Sequence, residues 1–203
     1  MIIKNFPLMK FGILFILFSQ IFFAQNFEES QKNKNSFSVT SEYLAGASLY
    51  SKQIYADDSN NFGFVGTVRF MWEPDRLLRI GLETGFIHLA HSKEENIETE
   101  FGITNRANSL NAFPLTLIFN MKIMKIELIL GIGASLIQSK INAFDEISES
   151  SVITSAKLFG VGYSFPLSEN SFLGTELKYF VFSTPEISSL AIQLKYKIRI
   201  YKW

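Results

Sequence analysis

The stretch "FGFVGTVRFMWEPDRLLRIGLETGF" (62–86) alternates between two kinds of residue on both sides of the turn sequence "EPDR". One set is large and apolar and comprises Phe62, Phe64, Val68, Phe70, Trp72, Leu78, Ile80, Leu82 and Phe86. The other set is smaller or charged and comprises Gly63, Val65, Thr67, Arg69, Arg79, Gly81, Glu83 and Gly85. Successive side chains of a strand point to opposite faces, so this period of two predicts two β-strands with unlike faces.

The same alternation recurs along the chain in eight segments, at 36–50, 62–72, 77–90, 109–121, 126–139, 152–165, 171–183 and 188–198. Their connectors differ in length. Short turns are expected at 73–76, 122–125 and 166–170, and longer polar loops at 51–61, 91–108 and 140–151; the last connector, 184–187, is also short. An even number of strands with short turns at one end and longer loops at the other is typical of a transmembrane β-barrel.

The composition of each face indicates whether it contacts lipid, water or the interior of the barrel. Glycine crowds the smaller face, at Gly46, Gly63, Gly81, Gly85, Gly131, Gly133, Gly160, Gly162 and Gly174. Glycine weakens a strand that faces water, but it fits where side chains converge inside a narrow barrel. Bulky apolar residues fill the opposite face, which suits lipid. We therefore predict that residues 36–203 form one all-β domain, an eight-stranded antiparallel up-and-down transmembrane β-barrel.

The N-terminus has the features of an export signal. Lys4 and Lys10 precede the apolar run "FGILFILF", which is too short to span a bilayer as a helix. We predict a signal peptide at 1–24 and a polar lead-in at 25–35, with a retained membrane anchor as the alternative. The 203-residue chain has no cysteine and a formal net charge of zero. Disulfides are therefore excluded, and the charge gives no indication of nucleic-acid binding.

The chain resembles the small eight-stranded outer-membrane β-barrel proteins of Gram-negative bacteria, the OmpA- and OmpX-like group, and within it the "outer membrane protein beta-barrel domain" family. The resemblance covers about residues 36–200 and rests on "FFAQ", on "NAFPLTLIFNMK" (111–122) before "IELILGIGASL" (126–136), and on the strand count. We expect a monomer in the cell outer membrane that contacts lipid, lipopolysaccharide and the insertion machinery. We also expect a structural or surface-interaction role without catalysis, cofactor or metal, because the sequence shows no phosphate loop, zinc motif or nucleotide fingerprint.

Two details of the strands carry further expectations. Such barrels end in an aromatic residue on the lipid-facing row, whereas Trp203 has the opposite parity to Leu190–Ile198; either a bulge near "IRIYKW" shifts the register or the last strand ends earlier. Pro114 cannot donate a ladder hydrogen bond, so it should lie at a bulge or near the outer rim of its strand.

Charged residues of both signs have inward parity, namely Glu42, Arg69, Arg79, Glu83, Glu127, Glu176, Lys178 and Lys195. They could line a polar pore or gate, or form ion pairs that fill the lumen. We favour the second reading, because side chains fill the interior of a barrel this small and buried charges need partners. A tight "EPDR" turn would place Arg69 opposite about residue 80 and diagonal to Glu83. Barrel closure would bring Glu42 near Lys195.

Other candidate residues are less specific. His88, His91 and Ser92 could belong to a lipid-modifying esterase, but neighbours in sequence do not supply the geometry of nucleophilic catalysis. Lys157 interrupts a lipid-facing row near the outer end, where it could reach lipid phosphate or simply extend to the interface. The acidic residues Glu94, Glu95, Glu98 and Glu100 read as a solvated loop rather than a cation site. A narrow pore and a lipid-modifying enzyme thus remain the alternatives to a non-catalytic barrel.

Overall fold

A computed structural model describes residues 37–51, 58–74, 78–99, 102–123, 125–143, 146–183 and 187–203. The predicted signal peptide (1–24) and lead-in (25–35) lie outside these residues and stay predictions. Within the described ranges, no helix is long and apolar enough to cross a bilayer.

The described residues fold almost entirely as β-strands. They are β1 (Phe37–Tyr50), β2 (Asp58–Asn60), β3 (Phe62–Pro74), β4 (Leu78–Thr99), β5 (Gly102–Ile123), β6 (Ile126–Ala143), β7 (Glu146–Pro166), β8 (Ser171–Phe182) and β9 (Ile187–Lys202). The short strand β2 pairs only with β4. The other strands correspond to the eight predicted segments.

These eight strands close into a single ring of antiparallel neighbours. Each strand pairs with the next one along the chain, and β1 pairs with β9. Two backbone hydrogen bonds of 3.0 Å, from Phe37 N to Trp203 O and from Trp203 N to Phe37 O, secure the end of this seam. The predicted eight-stranded up-and-down barrel is therefore confirmed.

The two ends of the barrel differ. At the turn end, short connectors join β3 to β4, β5 to β6 and β7 to β8, and the seam closes there. At the extended end, the β4–β5 pairing continues to Thr99 opposite Gly102, and the β6–β7 pairing continues to Ala143 opposite Glu146. The predicted loops at 91–108 and 140–151 are thus mostly strand. Beyond the lipid both faces of a strand can meet water, so a polar sequence can still pair.

The register across the "EPDR" connector differs from the prediction. Trp72 lies opposite Ile80, not residue 77, and Arg69 therefore lies directly opposite Glu83. The connector between the last paired residues, Trp72 and Ile80, is therefore longer than the four-residue turn that the sequence indicated. Arg69 also lies directly opposite Glu42 on the other side of β3.

The faces follow the predicted parity. On β3 the alternate residues Phe62, Phe64, Phe70 and Trp72 are exposed on the outer surface. Similar exposed apolar rows run along the outward faces of the other ring strands, as expected for a barrel that faces hydrocarbon.

A bulge in β9 changes which residues near the C-terminus face outward. Val39 pairs with Tyr201 and Thr40 pairs with Arg199, so Ile200 is an extra residue in β9. Beyond this bulge Tyr201 and Trp203 are both exposed, and their rings contact each other at a centroid distance of 5.1 Å. The first of the two predicted explanations, a register shift near the C-terminus, is confirmed.

Pro114 lies in the middle of β5 rather than at its rim. Its ladder with β6 is regular, with Pro114 opposite Ser135. On the other side the pairing with β4 stops at Leu115 and resumes at Ala112, and a bulge follows at Leu89. The interruption on one side only is consistent with the missing N–H of proline.

Strand packing at the seam leads to a testable prediction. A Cβ on Gly46 would overlap the backbone carbonyl oxygen of Ile192 in the adjacent strand, whereas a Cβ on Gly66 would meet only the movable ring of Phe64 at 3.3 Å. We expect Gly46→Ala to lower the free energy of unfolding by about 1–3 kcal/mol, as overpacking does, and Gly66→Ala to change it much less. Urea unfolding in detergent micelles, followed by tryptophan fluorescence, measures both. Equal effects of the two substitutions would contradict this description of the seam.

Candidate functional site

The lumen near the turn end is organised around the guanidinium group of Arg69. The ladder places Glu42 and Glu83 on either side of Arg69, on β1 and β4. Nη1 donates a hydrogen bond to Glu42 Oε2 at 2.8 Å, and Nε donates to Glu83 Oε2 at 2.7 Å. All three side chains are fully or almost fully buried. Cross-strand neighbours thus bring two carboxylates to one cation.

A third carboxylate reaches the same cation from β8. The Nη1 and Nη2 atoms of Arg69 donate to Glu176 Oε1 and Oε2 at 3.0 and 2.8 Å. This bidentate geometry matches the planar fork of arginine to a carboxylate. Three carboxylates around one guanidinium leave an excess of negative charge, which must be balanced by other cations.

Two lysines from β8 and β9 supply part of that balance. Lys178 Nζ lies 2.7 Å from Glu83 Oε1 and 3.4 Å from Glu176 Oε2. Lys195 Nζ lies 2.9 Å from Glu176 Oε1 and 2.7 Å from Glu127 Oε2. Both lysine side chains are fully buried.

Two further cations complete the network toward the turn end. Lys197 pairs with Glu73 and lies 3.9 Å from Glu42 Oε1. Arg79 Nη1 lies 3.5 Å from Glu73 Oε1 and 3.8 Å from Glu127 Oε1. The ion pairs therefore form a closed circuit that returns to Arg69 through Lys195 and Glu176.

The complete set, called here the lumen charge network, contains five carboxylates and five cations: Glu42, Glu73, Glu83, Glu127, Glu176, Arg69, Arg79, Lys178, Lys195 and Lys197. Opposite charges are equal in number, and no side chain of the set is more than 13% exposed. The network comes from β1, β3, β4, β6, β8 and β9, so it links strands on opposite sides of the ring.

Neutral polar groups fill positions around the network. Asn120 Nδ2 and Ser164 Oγ donate to the two oxygens of Glu127 at 3.0 and 2.9 Å. Thr67 Oγ1 accepts from Gln193 Nε2 at 3.3 Å and from Lys178 Nζ at 3.5 Å. These contacts supply hydrogen bonds that the ion pairs leave unmade, as buried charges require.

Toward the extended end the buried side chains are apolar or carry only a hydroxyl group. Buried side chains there include Val65, Ile87, Leu89, Phe180 and Phe182, and the two phenylalanine rings stack at a centroid distance of 6.4 Å. The expectation that ion pairs fill the lumen is therefore wrong for this half of the barrel. Ile87 and Leu89 already have inward parity in the sequence, but the interpretation of this face relied on its charged residues.

The sequence pointed to most of the lumen charge network. The structure brings together Glu42, Arg69, Arg79, Glu83, Glu127, Glu176, Lys178 and Lys195. Sequence reasoning missed Glu73, which was read as part of a turn, and Lys197, which shares the parity of Lys195.

Glu42 does not pair directly with Lys195 across the seam. Lys197, not Lys195, lies opposite Glu42 across the seam, and Lys195 lies opposite Leu44. The bulge at Ile200 belongs to this same pair of strands, and its position could not be read from the alternation.

The histidines do not form a catalytic group with Ser92. His91 and Ser92 lie within β4, not at the start of a loop, and as successive strand residues they point to opposite faces. Ser92 is buried, with no hydrogen-bond partner for its Oγ among the described residues. The Nδ1 atom of His88 is 2.7 Å from Asn111 Oδ1. The geometry therefore lacks the base–nucleophile contact of an esterase.

The acidic stretch is only partly described. Glu94, Glu95 and Glu98 belong to β4, but their side chains are outside the description, as is the whole of Glu100. Among the described side chains no three His, Asp or Glu residues gather as a metal site.

Comparison with known proteins identifies the fold. No family model and no curated protein sequence matches the chain. The chain is similar to Ail, the attachment invasion locus protein of Yersinia pestis, whose crystal structure was determined in complex with the heparin analogue sucrose octasulfate. The two sequences are 11% identical, the TM-score is 0.53, and the match covers 83% of this chain and 100% of that chain. A major outer membrane protein from Thermus thermophilus is 15% identical with a TM-score of 0.55, covering 81% and 99%.

Neisserial surface protein A is more distant, at 14% identity and a TM-score of 0.46, covering 82% of this chain and 100% of that chain. The chain thus has the fold of the small eight-stranded transmembrane β-barrels of outer membranes, as the sequence resemblance implied.

The central position of Arg69 leads to a prediction. Arg69→Ala would leave three buried carboxylates short of their shared cation, so we expect the free energy of unfolding to fall by about 3–5 kcal/mol. Lys140→Ala is the matched control, because Lys140 forms an ion pair with Glu149 on the exposed surface and should contribute no more than about 1 kcal/mol. Urea unfolding in lipid or detergent measures both. A loss below about 1 kcal/mol for Arg69→Ala would mean that water solvates the network.

Proposed function

We propose that this chain is a non-catalytic outer-membrane β-barrel that presents a protruding sheet to binding partners at the cell surface. In this proposal the lumen charge network and the apolar packing above it are structural and keep the barrel rigid. The function resides in the extended end, where an edge strand is open to an extended segment of another protein.

The orientation follows from the asymmetry of the barrel. Outer-membrane barrels keep short turns on the periplasmic side and longer segments outside. The turn end would therefore face the periplasm, and the hairpins β4–β5 and β6–β7 would project from the cell. We further propose that the barrel is a monomer, exported by its signal peptide and inserted by the machinery that handles such barrels.

The observation that carries the proposal is the unpaired edge of β7. The β7–β8 ladder ends with Ala156 opposite Phe182, whereas the β6–β7 ladder continues to Glu146. Among the described residues, no strand pairs with 146–153 on the side away from β6. Lys and Pro, which commonly protect exposed edges, are absent from this edge, "EISESSVI", whose only charged residues are Glu146 and Glu149. Such an edge can add a strand from a partner.

The direction of the free backbone groups can be assigned. Ser155 O accepts a hydrogen bond from Ser183 N at 3.2 Å, so the Ser155 backbone points away from β6. Backbone groups of an antiparallel strand alternate sides with a period of two. Residues 147, 149, 151 and 153 therefore present N–H and C=O groups at the free edge, while the residues between them pair with β6.

The alternative functions have less support. A pore would need a continuous water path past Glu42, Arg69 and Glu83, and these side chains are buried in ion pairs. A lipid-modifying enzyme using His91 and Ser92 would need side chains that converge, and these two lie on opposite faces of β4.

The proposed location is testable in a Gram-negative host. We expect the protein to fractionate with the outer membrane and to migrate differently on gels before and after heating, because a closed barrel resists detergent until it is heated. Recovery of the protein as a soluble periplasmic species would contradict the proposal.

The proposed docking edge can be tested by removing a single backbone N–H donor. Ser151→Pro removes an N–H from the free edge without removing a donor to β6. We expect folded wild-type protein in micelles to select, from a phage-displayed library of short linear peptides, sequences rich in β-branched and aromatic residues. Binding of the selected synthetic peptides, measured by fluorescence anisotropy, should fall at least about tenfold with Ser151→Pro, the equivalent of about 1.4 kcal/mol.

The control for this experiment is Ser151→Ala, which removes the side-chain hydroxyl but keeps the backbone N–H. It should bind the selected peptides as the wild type does. Peptides that bind Ser151→Pro and the wild type equally would place their site elsewhere and would refute the edge as the docking surface.

A further inference from the structure

A basic residue lies in the otherwise apolar outer face of β7. Lys157 is exposed, and its direct neighbours in the ladder are Ile132 on β6 and Val181 on β8. Phe159, two residues along on the same face, is half exposed. A cation on the lipid face is strongly destabilising at the bilayer midplane and much less so near the interface. A partner anion would offset what remains of this cost.

The described protein supplies no such partner. None of the ion pairs among the described residues includes Lys157, and the pair on the outer surface nearest in sequence joins Lys140 to Glu149. An anion that neutralises Lys157 must therefore come from the surroundings of the barrel.

Two hydroxyl groups lie beside Lys157 on the same outer face. Ser155 is two residues away, so its side chain lies about 7 Å along the strand. Its Oγ donates to Ser183 Oγ at 2.7 Å, which leaves the hydrogen of Ser183 free to donate outward. The Ser183 N–H also bonds Ser155 O at 3.2 Å, so the pair is fixed at the last contact between β7 and β8.

The position of this cluster along β7 matches the depth of a lipid headgroup. The outward row of β7 starts at Phe165 near the turn end and continues through Tyr163, Val161 and Phe159 to Lys157 and Ser155. This interval of about ten residues matches the length with which a tilted strand crosses a bilayer. Counted from Phe165, Ser155 lies about one bilayer crossing along β7, with Ser183 beside it and with the exposed Ile153 as the next outward residue.

We propose that Lys157, Ser155 and Ser183 bind a phosphate group of the phosphorylated glycolipid in the outer leaflet. The ammonium group neutralises the phosphate, and the Ser183 hydroxyl, held in place by Ser155, donates to one of its oxygens. Ile132 and Val181, beside Lys157 in the ladder, contact the acyl chains. The proposal rests on the orientation given under Proposed function, which places the extended end outside, where the outer-leaflet lipid is the glycolipid.

The test uses the folded protein in nonionic micelles, with native mass spectrometry to count bound lipid. Bisphosphorylated lipid A is compared with the same glycolipid after removal of its phosphates and with phosphatidylglycerol. We expect the wild type to bind bisphosphorylated lipid A most tightly. Lys157→Gln should weaken that binding about tenfold, as the loss of a charge-assisted hydrogen bond does. Lys140→Gln, which removes a surface lysine already paired with Glu149, should leave it unchanged.

The doubly substituted Ser155→Ala/Ser183→Ala protein separates a site from a lone charge, and we expect it to bind lipid A more weakly while Lys157 is intact. Equal binding by Lys157→Gln and the wild type would overturn the proposal. Equal binding of phosphatidylglycerol would overturn the assignment to the glycolipid. Peptide binding at residues 146–153 should not change in Lys157→Gln, so failure of this site and failure of the proposed edge are distinguishable.

Discussion

The interaction on which the rest of this barrel depends is the contact of one guanidinium with three carboxylates. Arg69 receives Glu42 and Glu83 from its neighbouring strands and Glu176 from across the lumen. A cation of this kind is stable away from water only if its donors are used and its charge is balanced. The other residues of the lumen charge network balance the excess negative charge of the three carboxylates. Together they link six strands across the space that a pore would need.

Alternation in the sequence was sufficient to predict the ring and the side of each strand on which its charges lie. The period of two places Arg69, Glu83 and Lys195 on the inward face whatever the register, because parity does not depend on which residues pair. Their contacts do depend on register. The longer connector after Trp72 and the bulge at Ile200 change the partners, and neither follows from alternation.

The hairpins at the extended end illustrate a second limit of sequence reasoning. Alternation reports a difference between two environments, and above the membrane both faces of a strand meet water. The polar stretches that pair in β4–β5 and β6–β7 therefore read as loops, although their backbones are hydrogen-bonded as far as Thr99 and Ala143. In the proposed function, the filled barrel holds the protein in the membrane and the strands at the extended end carry the accessible surfaces.

The claim that paired charges close the lumen is tested most directly by ion conductance. Purified wild-type protein, refolded and inserted into a planar lipid bilayer at physiological salt, should give no stepwise current above the leak of the bare membrane at either polarity. Insertion would be verified independently by the different migration of heated and unheated protein recovered from the same preparation. Regular current steps that scale with salt concentration would mean that water and ions pass Arg69, and would contradict the account.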